Sequence, residues 1–372
     1  MSPKLEKVHI MIKPPHDWLT KPPAVAADGN PEMLQAIREK KTHPAGSGAH
    51  VVESLAQLYR YLGLNVALFE SSQAAQNVTT RLMGQPNPDD VFTVDYCTGH
   101  KLQGQNGDPT HANIINNMTA ATRLLEPYVM RSIAEKLGVT HVVTQPPHAK
   151  FEGGDFTFLP HAFGDQSLLV TGGGVNSRSN TAGHEWLVDT LQPDHHLMVQ
   201  SSQFHRDLVS VFVQDHQGNL AQALLALECI DNKDQLLAGL CQLGVDVVQV
   251  PSAAVNHCAV NLLVNPGLLV GMQSDAELTD VLAHGLPEGV VYHSLPLYLQ
   301  GLMKGFIDMQ GGANCVSGHM MIEKGTVDLA PGHIAEINAH LHSEDFEDFL
   351  DATAAQLEMK EKIEAARAQQ NS

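Results

Sequence analysis

Short β-rich runs alternate with amphipathic segments along most of the chain, and this alternation restricts the fold more than any other feature of the sequence. The runs that predict strands are His9–Ile12, Val91–Val94, His141–Thr144, Ser167–Val170, Leu208–Val213 and Val245–Val250. Apolar residues recur at helical spacing in the segments His50–Leu62, Ile114–Leu137, Ala182–Leu191, Lys233–Leu243 and Ser274–His284. Strands that alternate with helices predict an α/β fold.

Glycines follow three of the predicted helices directly, at Gly63, Gly138 and Gly244. Glycine often ends a helix because it adopts the left-handed backbone conformation at no steric cost. No linker rich in Ser, Gly or Pro divides the pattern, so a single α/β domain is predicted over residues 1–342. The tail, residues 343–372, is rich in Glu, Ala, Lys and Gln and predicts a helix. This helix would pack on the domain or contact a second copy of the chain, which leaves a homo-oligomer open.

Acidic residues outnumber basic residues by 41 to 22, which gives a formal net charge of −19. A nucleic-acid-binding surface needs clustered basic residues, so this balance argues against a nucleic-acid partner and favours encounter with a cationic ligand. No apolar run reaches the roughly 20 residues of a membrane helix, and the first residues contain no signal-peptide pattern. The sequence therefore predicts a cytoplasmic protein without a membrane partner.

The cysteines and histidines are scattered along the chain. The five cysteines include no CxxC pair, so neither a disulfide framework nor a zinc ribbon is predicted. The 21 histidines include no HExxH motif and no compact Cys/His cluster, so no metal is predicted. A metallohydrolase that uses some of these histidines stays open as an alternative.

Two segments combine acids with glycine or histidine. In Phe151–Asp155, two carboxylates bracket two glycines, which is either an exposed turn or a pair of buried carboxylates that need cations or hydrogen bonds. In Phe204–Asp207, strand spacing would point His205 and Asp207 to the same face. A carboxylate near a histidine favours the imidazolium, which suits an acid/base catalyst, although a surface His-Asp pair has the same pattern.

Two further segments present a cysteine and an acid at the ends of turns or strands. Gln310–Cys315 is a glycine-rich turn that ends in Cys315, which is either a thiol presented to a cleft or a buried, inert residue. Pro88–Asp95 ends in Asp95 after a strand-like run, where the carboxylate either faces a cleft or caps a turn. A thiolate in a cleft would be a strong nucleophile.

In this order, the four segments resemble the motifs of the guanidine-modifying (pentein) superfamily, which includes arginine deiminases, dimethylarginine hydrolases, agmatine deiminases and amidinotransferases. A fifth segment, Gly174–Gly183, is similar to the family's Gly…Arg-[ST]-Asn-x-x-Gly stretch and contains Arg178. The matches span about residues 88–320. The resemblance implies a five-fold pseudosymmetric α/β propeller of ββαβ-type units, with the active site in its central channel.

The resemblance also implies a role for each motif residue and requires no metal or organic cofactor. Cys315 would attack the guanidinium carbon, His205 would act as the acid and base, and Glu152 would hold His205 and a guanidinium nitrogen. Substrate-binding positions implied by the motifs are Asp95, Asp207, Asp89 and Arg178. Asp155 is expected to cap local backbone rather than to contact the substrate.

One departure from the family pattern leaves the substrate open. Val94 stands where arginine deiminases often have Arg and dimethylarginine hydrolases have Glu. The Glu-Gly-Gly-Asp motif favours a hydrolase that acts on arginine or a related guanidino compound through a covalent thiouronium. Two alternatives are an amidinotransferase, which would need an acceptor amine, and a non-catalytic guanidine-binding protein, which would bind without turnover.

Overall fold

The computed structural model describes residues 4–20, 31–83, 87, 89–103, 109–119, 123, 125–272, 276–309, 311–325, 329 and 333. The strands in these ranges are β1 (Leu5–Lys13), β2 (Asn65–Glu70), β3 (Cys97–Gln103), β4 (Pro109–Ile115), β5 (Val142–Thr144), β6 (Phe156–Phe163), β7 (Gln166–Gly173), β8 (His195–Gln200), β9 (Ser210–Gln214), β10 (Leu220–Leu225), β11 (Asp246–Gln249), β12 (Leu263–Asn265), β13 (Leu268–Gly271), β14 (Val291–Ser294) and β15 (Gly318–Glu323). The helices are α1 (Pro31–Arg38), α2 (Ser47–Tyr61), α3 (Gln73–Met83), α4 (Glu126–Lys136), α5 (Thr181–Leu191), α6 (Lys233–Gln242), α7 (Ala276–His284), α8 (Leu297–Leu302) and α9 (Lys304–Asp308). Within the described ranges, none of the helices combines the length and the apolar character that crossing a membrane requires.

The strands form five three-stranded sheets that share one connectivity. In four units an antiparallel hairpin is followed by a helix and then by a third strand, which pairs in parallel with the second strand of the hairpin. These units are β3-β4-α4-β5, β6-β7-α5-β8, β9-β10-α6-β11 and β12-β13-α7-β14. The fifth unit joins the two ends of the described chain, because β15 pairs antiparallel with β1 and β2 pairs parallel with β1 across α2. Five ββαβ-type units confirm the predicted pentein fold.

Each helix covers its sheet with an apolar face. On α2, the side chains of Val51, Val52 and Leu55 are completely buried, and burying one such side chain stabilises the fold by about 1.5–3 kcal/mol. The predicted helix-ending glycines are confirmed, because Gly63 and Gly138 have φ angles of 85° and 62° just after α2 and α4.

The structure differs from the sequence-based elements at several places. Val91–Val94 was predicted as a strand, but Thr93–Asp95 form a single 3-10 turn. The predicted helix Ile114–Leu137 is wrong at its start, because β4 extends to Ile115 and α4 begins only at Glu126. Pro127 explains this start, since proline fits the first helical turn and breaks the interior of a helix. The tail, residues 343–372, lies outside the described residues, so its helix and the domain boundary at 342 stay predictions.

Tight turns precede the first strands of several units and converge at one end of the channel between the five sheets. Examples are the 3-10 turns Thr93–Asp95 before β3, Gly153–Asp155 before β6 and Arg206–Leu208 before β9. The turns touch one another, because the Val94 N–H donates to the Cys315 carbonyl at 3.2 Å and the Gly154 N–H donates to the Asp95 carboxylate at 3.2 Å. Pseudosymmetry therefore gathers residues that are far apart in sequence.

Candidate active site

The loop that carries Cys315 is fixed by hydrogen bonds to two side chains that are distant in sequence, Asn261 and Tyr59. The backbone N–H groups of Asn314 and Cys315 donate to the Asn261 side-chain oxygen at 3.1 and 3.2 Å. The Tyr59 hydroxyl donates to the Ala313 carbonyl at 3.0 Å. The Cys315 side chain is buried. Asn261 and Tyr59 belong to no motif identified in the sequence. The one feature that could have pointed to Asn261 is its position just before β12.

His205 lies between two carboxylates. Its Nε2 is 3.0 Å from the Glu152 carboxylate, and its Nδ1 is 3.5 Å from the Asp95 carboxylate. Burial alone lowers the pKa of His205, but the charge of Asp95 and the hydrogen bond to Glu152 outweigh it and raise the pKa to about 9. A Cβ on Gly154 would lie 2.6 Å from Nδ1, so the imidazole can approach only because this residue is glycine. His205 is therefore held as an imidazolium at neutral pH.

Glu152 is the central acceptor of the site and is fully buried. One oxygen lies 3.0 Å from His205 and 3.2 Å from Arg178, and the other accepts the Thr119 backbone N–H at 3.1 Å. Burial alone would raise the pKa of Glu152, but Arg178, His205 and Arg123 hold it well below its usual range. The carboxylate is therefore ionised and orients the ring of His205.

Arg123 belongs to the same network, although the sequence analysis did not identify it. Its guanidinium contacts the carboxylates of Asp95 at 2.8 Å, Glu126 at 2.8 Å and Glu152 at 3.6 Å. Together these partners hold the Arg123 pKa well above its usual value, despite burial, which lowers it. The available signal was an arginine and a glutamate three residues apart in an otherwise apolar run, the spacing of a helical ion pair.

Arg178 also faces the site, but its guanidinium is only partly used. Its Nη1 lies 3.2 Å from Glu152, and the guanidinium stacks over the Phe204 ring at 4.4 Å. Among the described residues, its buried Nε and Nη2 atoms have no hydrogen-bond partner. Arg178 therefore retains donors that a ligand can use, in contrast to Arg123.

Asp89 is the third carboxylate of the site, and one of its oxygens has no hydrogen-bond partner among the described residues. Burial raises the pKa of Asp89, with Arg123 and Arg178 acting against that rise. Its free oxygen is thus an acceptor available to a cationic ligand.

Asp207 is not one of the carboxylates that form the salt bridges with Arg123 and Arg178. The prediction that His205 and Asp207 share one face of a strand is wrong. His205 has an extended backbone, but residues 206–208 form a 3-10 turn, so strand spacing does not relate the two side chains. One oxygen of Asp207 accepts the Asn314 side-chain N–H at 3.0 Å. Burial raises the pKa of Asp207 to about 6. Its charge nevertheless reaches Cys315, whose pKa is raised well above its usual value by burial, then by Asp207 and Asp95.

Five of the predicted site residues, Asp89, Asp95, Arg178, His205 and Cys315, border one small cavity of about 10 Å³, whereas Glu152 and Asp207 do not line it. It is lined by Asp89, Phe92, Asp95, Arg123, Arg178, Phe204, His205, Met309 and Cys315. This volume holds a single water molecule, so a larger ligand can enter only when lining side chains move. Asp155 does not line this cavity. It accepts the Arg206 backbone N–H at 3.2 Å and the Ser179 hydroxyl at 2.6 Å, and both partners lie far from it in sequence, so its expected capping of local backbone stays a prediction.

Three residues of the site could in principle hold a metal ion. Asp95, Glu152 and His205 offer ligand atoms that lie within 4.8 Å of one another, and this is the only such group among the described residues. The guanidinium groups of Arg123 and Arg178 already neutralise these carboxylates. A donor set that is filled by two cations and a protonated histidine suits an ion-pair network better than a metal centre.

Comparison with known proteins gives structural matches only. No family model matches the sequence, and no curated protein sequence matches it. The N-terminal domain of ArgZ, covalently bound to a reaction intermediate, superposes with a TM-score of 0.60 at 17% identity and covers 85% of this chain and 98% of that chain. ArgZ is described as an arginine dihydrolase from the ornithine-ammonia cycle in Cyanobacteria.

Two other proteins superpose over a similar part of the chain. Unliganded AgrE has a TM-score of 0.58 at 17% identity, with 85% of this chain and 39% of that chain covered. A dimethylarginine dimethylaminohydrolase, as an adduct with 4-chloro-2-hydroxymethylpyridine, has a TM-score of 0.54 at 11% identity, with 84% and 99% covered. The chain therefore has the fold of the guanidine-modifying, or pentein, superfamily.

Proposed function

We propose that this protein is a hydrolase that cleaves a guanidinium C–N bond of arginine or a related guanidino compound through a covalent bond to Cys315. The observation that carries this proposal is the convergence of a thiol, an imidazolium and two acidic side chains, from Cys315, His205, Asp95 and Asp89, on one cavity. The named activities of ArgZ and of the dimethylarginine hydrolase support the same class of substrate.

The carboxylates would bind the planar guanidinium cation. Planar bidentate acceptors match the N–H groups of a guanidinium, and both Asp89 and Asp95 line the cavity. Glu152 accepts from His205 and Arg178 and would hold the imidazole against the departing nitrogen. Binding in this way fixes the plane of the substrate and leaves its carbon accessible to Cys315.

Substrate binding would also activate the nucleophile. In the unliganded protein, burial and two carboxylates keep the Cys315 pKa high, so the thiol is protonated. A guanidinium cation beside the sulfur favours the thiolate, because an opposite charge stabilises the ionised form. The thiol proton then leaves to solvent, and the nucleophile becomes reactive only when the substrate is present.

The reaction then proceeds in two balanced steps. In the first, the Cys315 thiolate forms a C–S bond to the guanidinium carbon, His205 donates its proton to one substrate nitrogen, and that C–N bond breaks to release ammonia or an amine. In the second, the neutral His205 accepts one proton from water and the resulting hydroxide adds to the thiouronium carbon. The C–S bond then breaks to return the thiolate, and the remaining hydroxyl proton passes to the released ammonia or amine or to solvent. The product carries a ureido group.

The far end of the substrate would bind Arg178, which has two unused buried donors. These donors suit a carboxylate, so an amino acid such as arginine is favoured over agmatine, which has none. We expect Arg178→Gln to raise KM for arginine at least tenfold and to leave KM for agmatine within about threefold. Equal effects on both compounds would contradict the assignment of Arg178 to the tail.

Product analysis in oxygen-18 water tests hydrolysis against the transfer of the amidino group. Hydrolysis incorporates one oxygen-18 atom into the ureido product without any added amine. An amidinotransferase instead requires an acceptor amine and incorporates none. Turnover that depends on an added amine would overturn the proposed hydrolysis while leaving the covalent role of Cys315 intact.

A further inference from the structure

A second and much larger cavity borders the turns that carry the candidate active site. Its volume is about 390 Å³, within the range of small-molecule binding sites. The lining residues come from all five sheets, through β1, β3, β6, β9, β12 and β15. The wall towards the active site contains Val94, Gly153, Arg206 and Asn314. Each is a sequence neighbour of a residue assigned above to the catalytic site, so the same turns border both cavities.

The charge of this cavity is opposite to that of the whole chain. Three cations line it, Lys7, Lys101 and Arg206, against the single carboxylate of Asp207. The full sequence has 41 acidic and 22 basic residues, so this local excess of positive charge is unexpected from composition. Within the described part of the chain, Lys7 and Lys101 form no ion pair.

Two of the cations have pKa values that burial lowers. The pKa of Lys7 falls to about 8 and that of Arg206 to about 10, although Asp207 and Asp155 act against the fall at Arg206 and its Nη atoms donate to Ser210 and Thr157. Several buried polar atoms of lining residues also have no hydrogen-bond partner among the described residues. They are Arg206 Nε, His100 Nε2 and Thr98 Oγ1, and each residue is more than nine-tenths buried. Unpaired buried polar atoms are costly, so these atoms are available to pair with whatever fills the cavity, and a ligand that offers acceptors and donors would displace water from them.

The rest of the lining is largely apolar and aromatic. Phe156, Phe158 and Phe212 contribute from β6 and β9. An inorganic anion would leave these rings uncovered, whereas an anion with an apolar body would bury them. We propose that this cavity binds a small amphipathic anion, a carboxylate or phosphate group attached to an apolar or aromatic body, with Lys7, Lys101 and Arg206 around the anionic group.

Isothermal titration calorimetry of the full chain tests this site with four probes: benzoate, phenyl phosphate, benzamide and inorganic phosphate. We expect benzoate and phenyl phosphate to bind with one-to-one stoichiometry, and to bind at least tenfold more tightly than benzamide or inorganic phosphate. Benzoate and phenyl phosphate together also separate the two sources of negative charge, since a preference between them names the group. Equal affinity for benzoate and neutral benzamide would overturn the proposal.

Variants locate the bound anion. The double change Lys7→Gln/Lys101→Gln should weaken benzoate binding at least tenfold, whereas the exposed Lys233→Gln serves as the matched control and should leave it unchanged. Arg178→Gln in the active site should also leave it unchanged. Loss of binding in Arg178→Gln, but not in the double variant, would assign the anion to the other cavity and refute the proposal.

Histidine-ring NMR of the wild-type chain gives an answer that does not depend on any variant folding. Benzoate should shift the ring resonances of His100 and His319, which line the cavity, and leave the exposed His284 unchanged. No change at His100 and His319 on saturation with benzoate would overturn the site. Both measurements detect binding without turnover, so their result is independent of the proposed hydrolysis.

Discussion

Changing Glu152 to glutamine removes one charge from the centre of the site while keeping the shape of the side chain. The Glu152 carboxylate lies 3.0 Å from His205 Nε2, and the pKa of His205 is raised from 6.5 to about 9. That rise corresponds to about 3 kcal/mol of preference for the imidazolium, shared mainly between Asp95 and Glu152. We expect Glu152→Gln to lower the His205 pKa by roughly 1–2 units, because the charge of Asp95 is then the main influence that raises the pKa against the lowering effect of burial.

The same substitution has consequences for stability and rate. His205 has a raised folded pKa, so the stability that it contributes is complete below about pH 6.5 and is lost as the pH rises through about 9. In Glu152→Gln this contribution shrinks, and removal of one partner from a buried ion-pair network costs about 3–5 kcal/mol in addition. The alkaline limb of the pH–rate profile, which reports the loss of the general acid, should move down by the same roughly 1–2 units.

NMR titration of labelled histidine rings measures the His205 pKa, and His205→Gln assigns the resonance. Glu126→Gln is the matched control, because Glu126 is equally buried and pairs with Arg123 but makes no contact with His205. The control leaves both carboxylate partners of His205 in place, so its His205 pKa should stay near 9. An unchanged His205 pKa in Glu152→Gln, or an equal fall in both variants, would refute the reasoning.

Three further predictions concern single positions. Gly154→Ala should lower kcat at least a hundredfold in a folded protein, since the new Cβ would lie 2.6 Å from His205, whereas Gly301→Ala, with open space around it, should leave kcat unchanged. Asp207→Asn should stabilise the unliganded protein by about 1–3 kcal/mol at pH 7.5, because it removes the cost of burying an ionised carboxylate, which is fully present above the folded pKa of about 6. Urea denaturation should show this gain disappearing near pH 3.5, and a loss of stability at pH 7.5 would contradict it. Iodoacetamide should label Cys315 only at a pH well above the ordinary thiol pKa of about 8.5, and the exposed Cys241 serves as the labelling reference. Fast labelling of Cys315 at pH 7 would contradict a protonated thiol.

The alternation of strands and helices was readable from the sequence because it depends on local periodicity. The helix-ending glycines Gly63 and Gly138 and the strands around β1 and β7 follow from that periodicity alone. The five-fold arrangement does not, since it depends on pairing between β1 and β15, which are about 300 residues apart. It came from the resemblance and is now confirmed by the sheets.

Some residues of the candidate site could likewise be recognised from the sequence, and others could not. Glycine and acid spacing marked the compact segments that contain Glu152 and His205, but the roles of these two residues came from the resemblance. Arg123, in contrast, lies in no motif, and its role depends on three carboxylates from separate parts of the chain. The expected shared face of His205 and Asp207 failed because a 3-10 turn interrupts strand alternation, which periodicity over four residues cannot reveal.

A covalent bond between Cys315 and the guanidinium carbon is the central claim of this account. Intact-protein mass spectrometry, after incubation with a panel of guanidino compounds and an acid quench, tests it with wild type and Cys315→Ser side by side. We predict that one compound gives a ureido product and that wild type alone carries an adduct, which maps to Cys315 and not to the exposed Cys241. Turnover by Cys315→Ser, or binding of the same compounds by both proteins without any conversion, would contradict it.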